Sequence, residues 1–126
     1  MSALVTGVDF VVVATKDIEA AEEFYGGVLG LPVGARYGSM PGVEFETGNL
    51  TIAVMEAEAF GMQYSVNPSP IALQVDDTHA ARAELEAKGV SFAPQTIDSG
   101  VCHMAFFRDP DGNGLMLHHR YAPRDR

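Results

Sequence analysis

Val13-Ala14-Thr15-Lys16-Asp17-Ile18-Glu19-Ala20-Ala21 and Leu73-Gln74-Val75-Asp76-Asp77-Thr78-His79-Ala80-Ala81 share one layout. Each is an apolar extended run, then an acidic residue, then an alanine-containing helical pattern. The two stand about 60 residues apart, the scale of a repeated folding unit. A second echo follows, since Gly48-Asn49 and Gly112-Asn113 each precede an apolar run. Two copies of one unit predict pseudo-twofold symmetry, with equivalent positions of both copies able to meet around a shared cleft.

Around these anchors the chain reads as two β-α-β-β-β modules. Val5 to Ala14 is β-branched and apolar, a buried strand by pattern. Asp17 is placed to cap the following helix by accepting from its free N–H groups. Ile18, Ala21, Tyr25, Val28 and Leu29 fall on one helical face. Gly26-Gly27 weakens the last turn and Leu31-Pro32 ends it. Extended segments follow near 33–39, 42–47 and 50–56, divided by Met40-Pro41-Gly42 and Gly48-Asn49.

Module one thus spans about 5–56, and a Gly- and Pro-containing connector covers 57–69. Module two spans about 70–119 and residues 120–126 form a tail, all within one domain over 1–126. In module two the helix runs from about Asp77 to Lys88 and stops at Gly89. Strands lie near 91–97, 101–108 and 114–119, the last two joined by the turn Asp109-Pro110-Asp111-Gly112-Asn113.

Composition narrows the function classes. Apolar residues make up 47% of the chain, enough for a sizeable core. Seventeen acidic against eight basic residues give a net charge of −9, with no Lys or Arg run. Nucleic acid and anionic membrane surfaces are therefore poor partners, because both require clustered cations. No apolar stretch approaches the ~20 residues needed to span a bilayer. The start, Met1-Ser2-Ala3-Leu4-Val5-Thr6-Gly7, shows no secretory signal pattern. The single cysteine, Cys102, has no internal disulfide partner and fits a cytoplasmic setting.

The repeat joins several local motifs: Phe24-Tyr25, Val28-Leu29-Gly30-Leu31, Val75-Asp76-Asp77, Ala87-Lys88-Gly89-Val90 and Phe107-Arg108-Asp109-Pro110-Asp111-Gly112-Asn113. Together they resemble the vicinal oxygen chelate superfamily of glyoxalase I, extradiol dioxygenases and bleomycin-resistance proteins, from about Val5 to His118. The resemblance implies an α+β fold in which two βαβββ modules form a cupped, partly closed mixed β-barrel. It also implies a ligand in the cup and a homodimer. Enzymatic members hold a divalent metal there through His, Gln or Glu from the first and last strand of each module.

Carried over residue by residue, that pattern meets a departure. The first-strand ligand falls on Phe10, its counterpart in module two on Pro70, and the last-strand carboxylate on Met116. Module one offers Leu50-Thr51-Ile52-Ala53-Val54, with no ligand residue. A one-residue slip gains only Asp9. Such positions supply no oxygen or imidazole donor, so no metal and no other cofactor is expected. A relocated set from His103, His118, Glu44 and Glu46 stays conceivable, since hairpin strands can converge.

What remains is an apolar, aromatic-edged cup. Alternation puts Phe10, Val12 and Ala14 on one strand face, and Pro70, Ala72 and Gln74 on its counterpart. Met116 and His118 share a face of the last strand, and His103 is a candidate for the wall. Gln74 and His118 serve as hydrogen-bonding handles. Met55, Met62, Met104 and Met116 allow the walls to re-pack around a ligand. His79 reads as surface, and His119 as facing the helices or solvent. Cys102 reads as a small buried apolar residue rather than a nucleophile. Arg108 beside Asp109 reads as a turn salt bridge. Phe60, Met62 and Tyr64 either pack under the connector or form a lid or dimer contact.

Three functions compete on this footing. The leading one is metal-independent binding of an apolar or aromatic small molecule, resembling the bleomycin-resistance branch. An enzyme is the second: a lyase or isomerase with His118 as acid/base, or a dioxygenase-like metal enzyme with relocated ligands. The third is a non-catalytic protein-interaction module using the connector and sheet edges.

Overall fold

Two aspartates start the two helices, and they do so by the same hydrogen bond. In a computed structural model, which describes residues 3–123, the Asp17 carboxylate accepts from Ala20 N at 3.2 Å. That of Asp77 accepts from Ala80 N at 3.0 Å. Met1, Ser2 and the tail residues Arg124–Arg126 lie outside the described residues.

The chain divides between Ser65 and Val66 into two compact units. Unit 1 runs β1 (Phe10–Thr15), α1 (Ile18–Glu22), a π-helical stretch (Glu23–Val28), β2 (Val33–Arg36), β3 (Gly42–Glu46), β4 (Thr51–Glu56) and a short 3-10 helix (Ala57–Phe60). Unit 2 runs β5 (Ile71–Gln74), α2 (Thr78–Ala87), β6 (Ile97–Asp98), β7 (Cys102–Arg108) and β8 (Gly114–Arg120). Each unit builds one four-stranded open sheet, ordered β1-β4-β3-β2 and β5-β8-β7-β6. The fold is mixed α+β with few helices and no closed barrel among the described residues. Among the described residues no helix is long and apolar enough to cross a membrane.

Within unit 1, period-two alternation divides the sheet into a helix-covered face and a helix-free face. Val13, Val43, Phe45, Ile52 and Val54 are buried on the covered face. There Tyr25 stacks on Phe45 with ring centroids 5.8 Å apart. The helix carrying Tyr25 widens to π spacing at Gly26-Gly27, with Leu29 N bonding Phe24 O at 2.9 Å. Glu56, from the end of β4, accepts from Ile18 N at 3.0 Å and so ties sheet to helix.

Unit 2 repeats the division. Ala105, Phe107, Leu115 and Leu117 are buried on the face that α2 covers, where Leu85 is also buried. The turn after β7 is a buried polar knot. Asp109 accepts from Asp111 N, Asn113 N and Asn113 Nδ2, all at 2.9 Å. Asn113 Oδ1 in turn accepts from Asn67 N at 2.8 Å.

Three expectations change. The first strand begins at Phe10 rather than Val5, because its neighbour β4 begins at Thr51, opposite Phe10. Residues 5–9 have strand propensity and no ladder to join, and their side chains are exposed. The strand expected near 91–97 shrinks to Ile97–Asp98 plus a single bridge from Phe92 to Phe107. Pro94 lacks the N–H a continuous ladder needs. Finally, Arg108 does not salt-bridge Asp109; its guanidinium donates to Gly112 O at 3.0 Å, while Asp109 is turned inward.

Candidate functional site

Phe10 and Val12 stand on the helix-free face of unit 1, 52% and 42% exposed. Cross-strand register adds Ala53 opposite Val12 and Thr51 opposite Phe10, and then Glu44 opposite Ala53 and Glu46 opposite Thr51. Both glutamates therefore share the face of Phe10 and Val12. Glu44 accepts from the Tyr37 hydroxyl at 2.6 Å, and Glu46 from Thr51 Oγ1 at 2.7 Å. Desolvation, with the Glu44 hydrogen bond and charge adding to it, pushes the Tyr37 phenol up to about 12.

Two glycines make room for these groups. A Cβ on Gly34 would overlap the Glu46 carboxylate. A Cβ on Gly42 would stand 2.5 Å from the Tyr37 ring and 3.1 Å from that of Phe60. Tyr37 and Phe60 meet edge to face at 5.6 Å, so Phe60 packs within unit 1. Met62 is exposed, and Tyr64 carries the Lys16 ammonium 4.7 Å above its ring.

On unit 2 the helix-free face carries Ala72 and Gln74 of β5 opposite Met116 and His118 of β8. Phe106 and Met104 of β7 stand on the far side of the same two residues. Pro70 precedes this row, exposed, its backbone against Gly114. Ala72 and Gln74 are exposed, and Met104, Phe106, Met116 and His118 are half-buried. Among the described residues no group hydrogen-bonds the His118 ring. A general base whose tautomer is set by a third group would show such a partner.

His103 is not brought to this face. It pairs with His119, so its side chain stands on the opposite side of the sheet from His118. There it packs between His79, 5.0 Å away, and Tyr121, 4.7 Å away. Its Nε2 lies 3.4 Å from Asp98 Oδ2, and Tyr121 donates to Asp98 Oδ1 at 2.7 Å. Gly100 N and the Tyr121 hydroxyl hold the Asp98 carboxyl below its usual range. His119 Nδ1 sits 3.1 Å from Val75 O on that same side. Cys102 is buried.

Register also completes the comparison with a metal-binding frame. Met116 lies opposite Ala72 in unit 2, and the corresponding pair in unit 1 is Val12 with Ala53. The four places that the resemblance drawn from the sequence would assign to metal donors hold Phe10, Ala53, Pro70 and Met116. Hydrocarbon side chains, the ring of proline among them, and a thioether do not fit a hard or borderline divalent cation. Among the described residues no three His, Cys, Asp or Glu side chains come together to hold an ion. His103 and His118, on opposite faces, cannot share one.

With this geometry in view, the sequence profile of the Glyoxalase/Bleomycin resistance protein/Dioxygenase superfamily matches residues 7–117. The chain belongs to that superfamily. Solved structures share its fold at low identity. A lactoylglutathione lyase from Agrobacterium tumefaciens is 18% identical over 90% of this chain and 92% of its own, with a TM-score of 0.77. TnmS3, an antibiotic binding protein from Streptomyces sp. CB03234, is 22% identical over 94% and 99%, with a TM-score of 0.78. A superfamily member from Sphaerobacter thermophilus is 21% identical over 92% and 98%, with a TM-score of 0.79. No curated protein matches the sequence.

Proposed function

We propose that this superfamily member binds an apolar or aromatic small molecule on the helix-free faces of its sheets, without a metal. The observation that carries the reading is apolar side chains at the expected donor places of each unit: Phe10 and Ala53 beside Val12 in unit 1, and Pro70 and Met116 beside Ala72, Met104 and Phe106 in unit 2. Such a lining, with a few polar groups among apolar ones, suits a small-molecule site. Gln74 and His118 supply hydrogen bonds, and Glu44 and Glu46 supply acceptors for any donor or cationic group the ligand carries. The superfamily's catalytic and binding branches share this fold, and the antibiotic binding role of TnmS3 supports the binding branch only by analogy.

A homodimer accompanies this reading. Leu4, Val5 and Val8, which precede the first strand of unit 1, are exposed apolar side chains that a second copy would cover. A reducing cytoplasm suits the unpaired thiol of Cys102, and the acidic balance makes nucleic acid and anionic membrane poor partners.

The test measures metal content after purification without chelator, followed by challenge with Ni, Zn, Mn and Fe. Amide NMR then maps a library of neutral aromatic fragments. The expected result is no stoichiometric metal, and fragment shifts confined to the faces carrying Phe10, Ala72, Gln74 and His118. A tightly held ion in unit ratio would overturn the reading, as would fragments that perturb only the helix sides.

A further inference from the structure

Glu44 and Glu46 on the helix-free face of unit 1 have protein donors, whereas one cation on the helix-free face of unit 2 meets no anion among the described residues. Arg120 shares its face of β8 with Met116 and His118 and stands opposite Cys102 of β7. Arg120 is half-buried, yet among the described residues its guanidinium touches no carboxylate. Nη1 reaches only Cys102 Sγ at 3.8 Å, and Nη2 only Pro123 O at 3.4 Å. Nε is buried with no hydrogen-bond partner among the described residues. These contacts are long against the 2.7–2.9 Å usual for a charge-assisted bond, and thiol sulfur is a weak acceptor.

The other arginines show the contrast. Arg36 pairs with Glu22 and Arg82 with Glu86, while Arg108, which bonds Gly112 O, is exposed to water. A half-buried arginine that meets no carboxylate among the described residues is an unbalanced charge there. Withdrawing such a group from water is costly unless an anion compensates it.

We infer that Arg120 is an anion-recognising position of unit 2, and that it takes the carboxylate of a ligand whose aromatic or apolar body lies over Met104, Phe106 and Met116. This rests on the small-molecule reading above and adds the ligand's charge class. A carboxylate arriving from the helix-free face exchanges the sulfur and carbonyl contacts of the two Nη groups for charge-assisted bonds. A bidentate grip that turns Nε outward also satisfies the one orphaned donor. His118, two residues back on the same face, and Gln74 beside it are placed to bind the ligand's remaining polar atoms.

The test compares 2-naphthoate with its neutral counterpart 2-naphthamide, titrated into the full chain by calorimetry and amide NMR. Naphthoate is expected to bind about tenfold or more tightly, the scale of a hydrogen bond to a charged group. Arg120→Gln should abolish that ratio, and Arg120→Lys should restore part of it. The guanidinium Nε–H resonance of the unmutated protein should move with naphthoate and not with naphthamide, a readout that survives if Arg120→Gln fails to fold. Equal affinities, or a ratio unchanged in Arg120→Gln, would overturn the inference while leaving small-molecule binding intact. Binding of neither probe would also overturn it, and the small-molecule reading would then stand or fall on its own metal and fragment assays.

Discussion

Replacing Tyr37 by Phe removes one oxygen and tests how the Glu44 carboxylate is held on the face beside Ala53. The phenol donates to Glu44 at 2.6 Å and is pushed up to about 12, chiefly by burial. In the unfolded chain a tyrosine titrates near 10. Because the folded value is the higher, the contribution is fully present below pH 10 and is lost as pH rises through 12. At pH 7 Tyr37→Phe removes only the hydrogen bond to the partly exposed Glu44 carboxylate, worth about 1 kcal/mol. For a domain of this size that is a fall in Tm of about 4 °C at pH 7. The assay is urea or thermal unfolding from pH 8 to 12, with phenolate absorbance followed in parallel. The unmutated protein should lose this increment above pH 10, and Tyr37→Phe should lack it. Absorbance should show one high-pH component that disappears in the variant. A Tyr37 that ionises near 10, or a variant that melts like the parent, would refute the hydrogen bond.

Gly42→Ala drives a Cβ into the Tyr37 and Phe60 rings and should cost about 2 kcal/mol, read as a lowered urea midpoint with an unchanged slope. Asp109→Ala strips three hydrogen bonds from a buried turn and should cost about 3 kcal/mol. Amide exchange at Asp111 and Asn113 should then rise well above its parent rate. Cys102 is buried, so a bulky disulfide reagent should react with it slowly in the native protein and at once in denaturant. Rapid native labelling would contradict its placement.

Much of this fold is legible because its determinants are local. Asp17 and Asp77 cap helices through bonds three residues long, and the Asp109–Asn113 turn is written in Pro and Gly. The apolar side of the site is legible too, since alternation alone separates Phe10 and Val12 from Val11 and Val13. What escaped needed pairing across strands. His103 looks equivalent to His118 until the five-residue turn is used to count outward from Arg108 opposite Gly114, which puts Met104 and not His103 opposite His118. Glu44 and Glu46 required the register of β3 on β4, and their donors, Tyr37 and Thr51, come from different strands or loops. Arg120 carried no motif, and its isolation emerges only from what surrounds it. The early start given to the first strand failed for the complementary reason: propensity is a property of residues 5–9, and a ladder is a property of their neighbours.

The register of the first strand has one more consequence, which concerns synthesis. Phe10 pairs in parallel with Thr51, and Ile71 with Leu115, so the opening strand of each unit waits about 40 residues for its sheet neighbour among the described residues. Until β4 has left the ribosome, β1 is a nascent apolar segment that can be held only by its own helix or by a chaperone. Once β4 emerges, unit 1 has every strand of its sheet while unit 2 is still unmade. Translation therefore completes the strands of the first sheet before those of the second, which has the same topology, have been made.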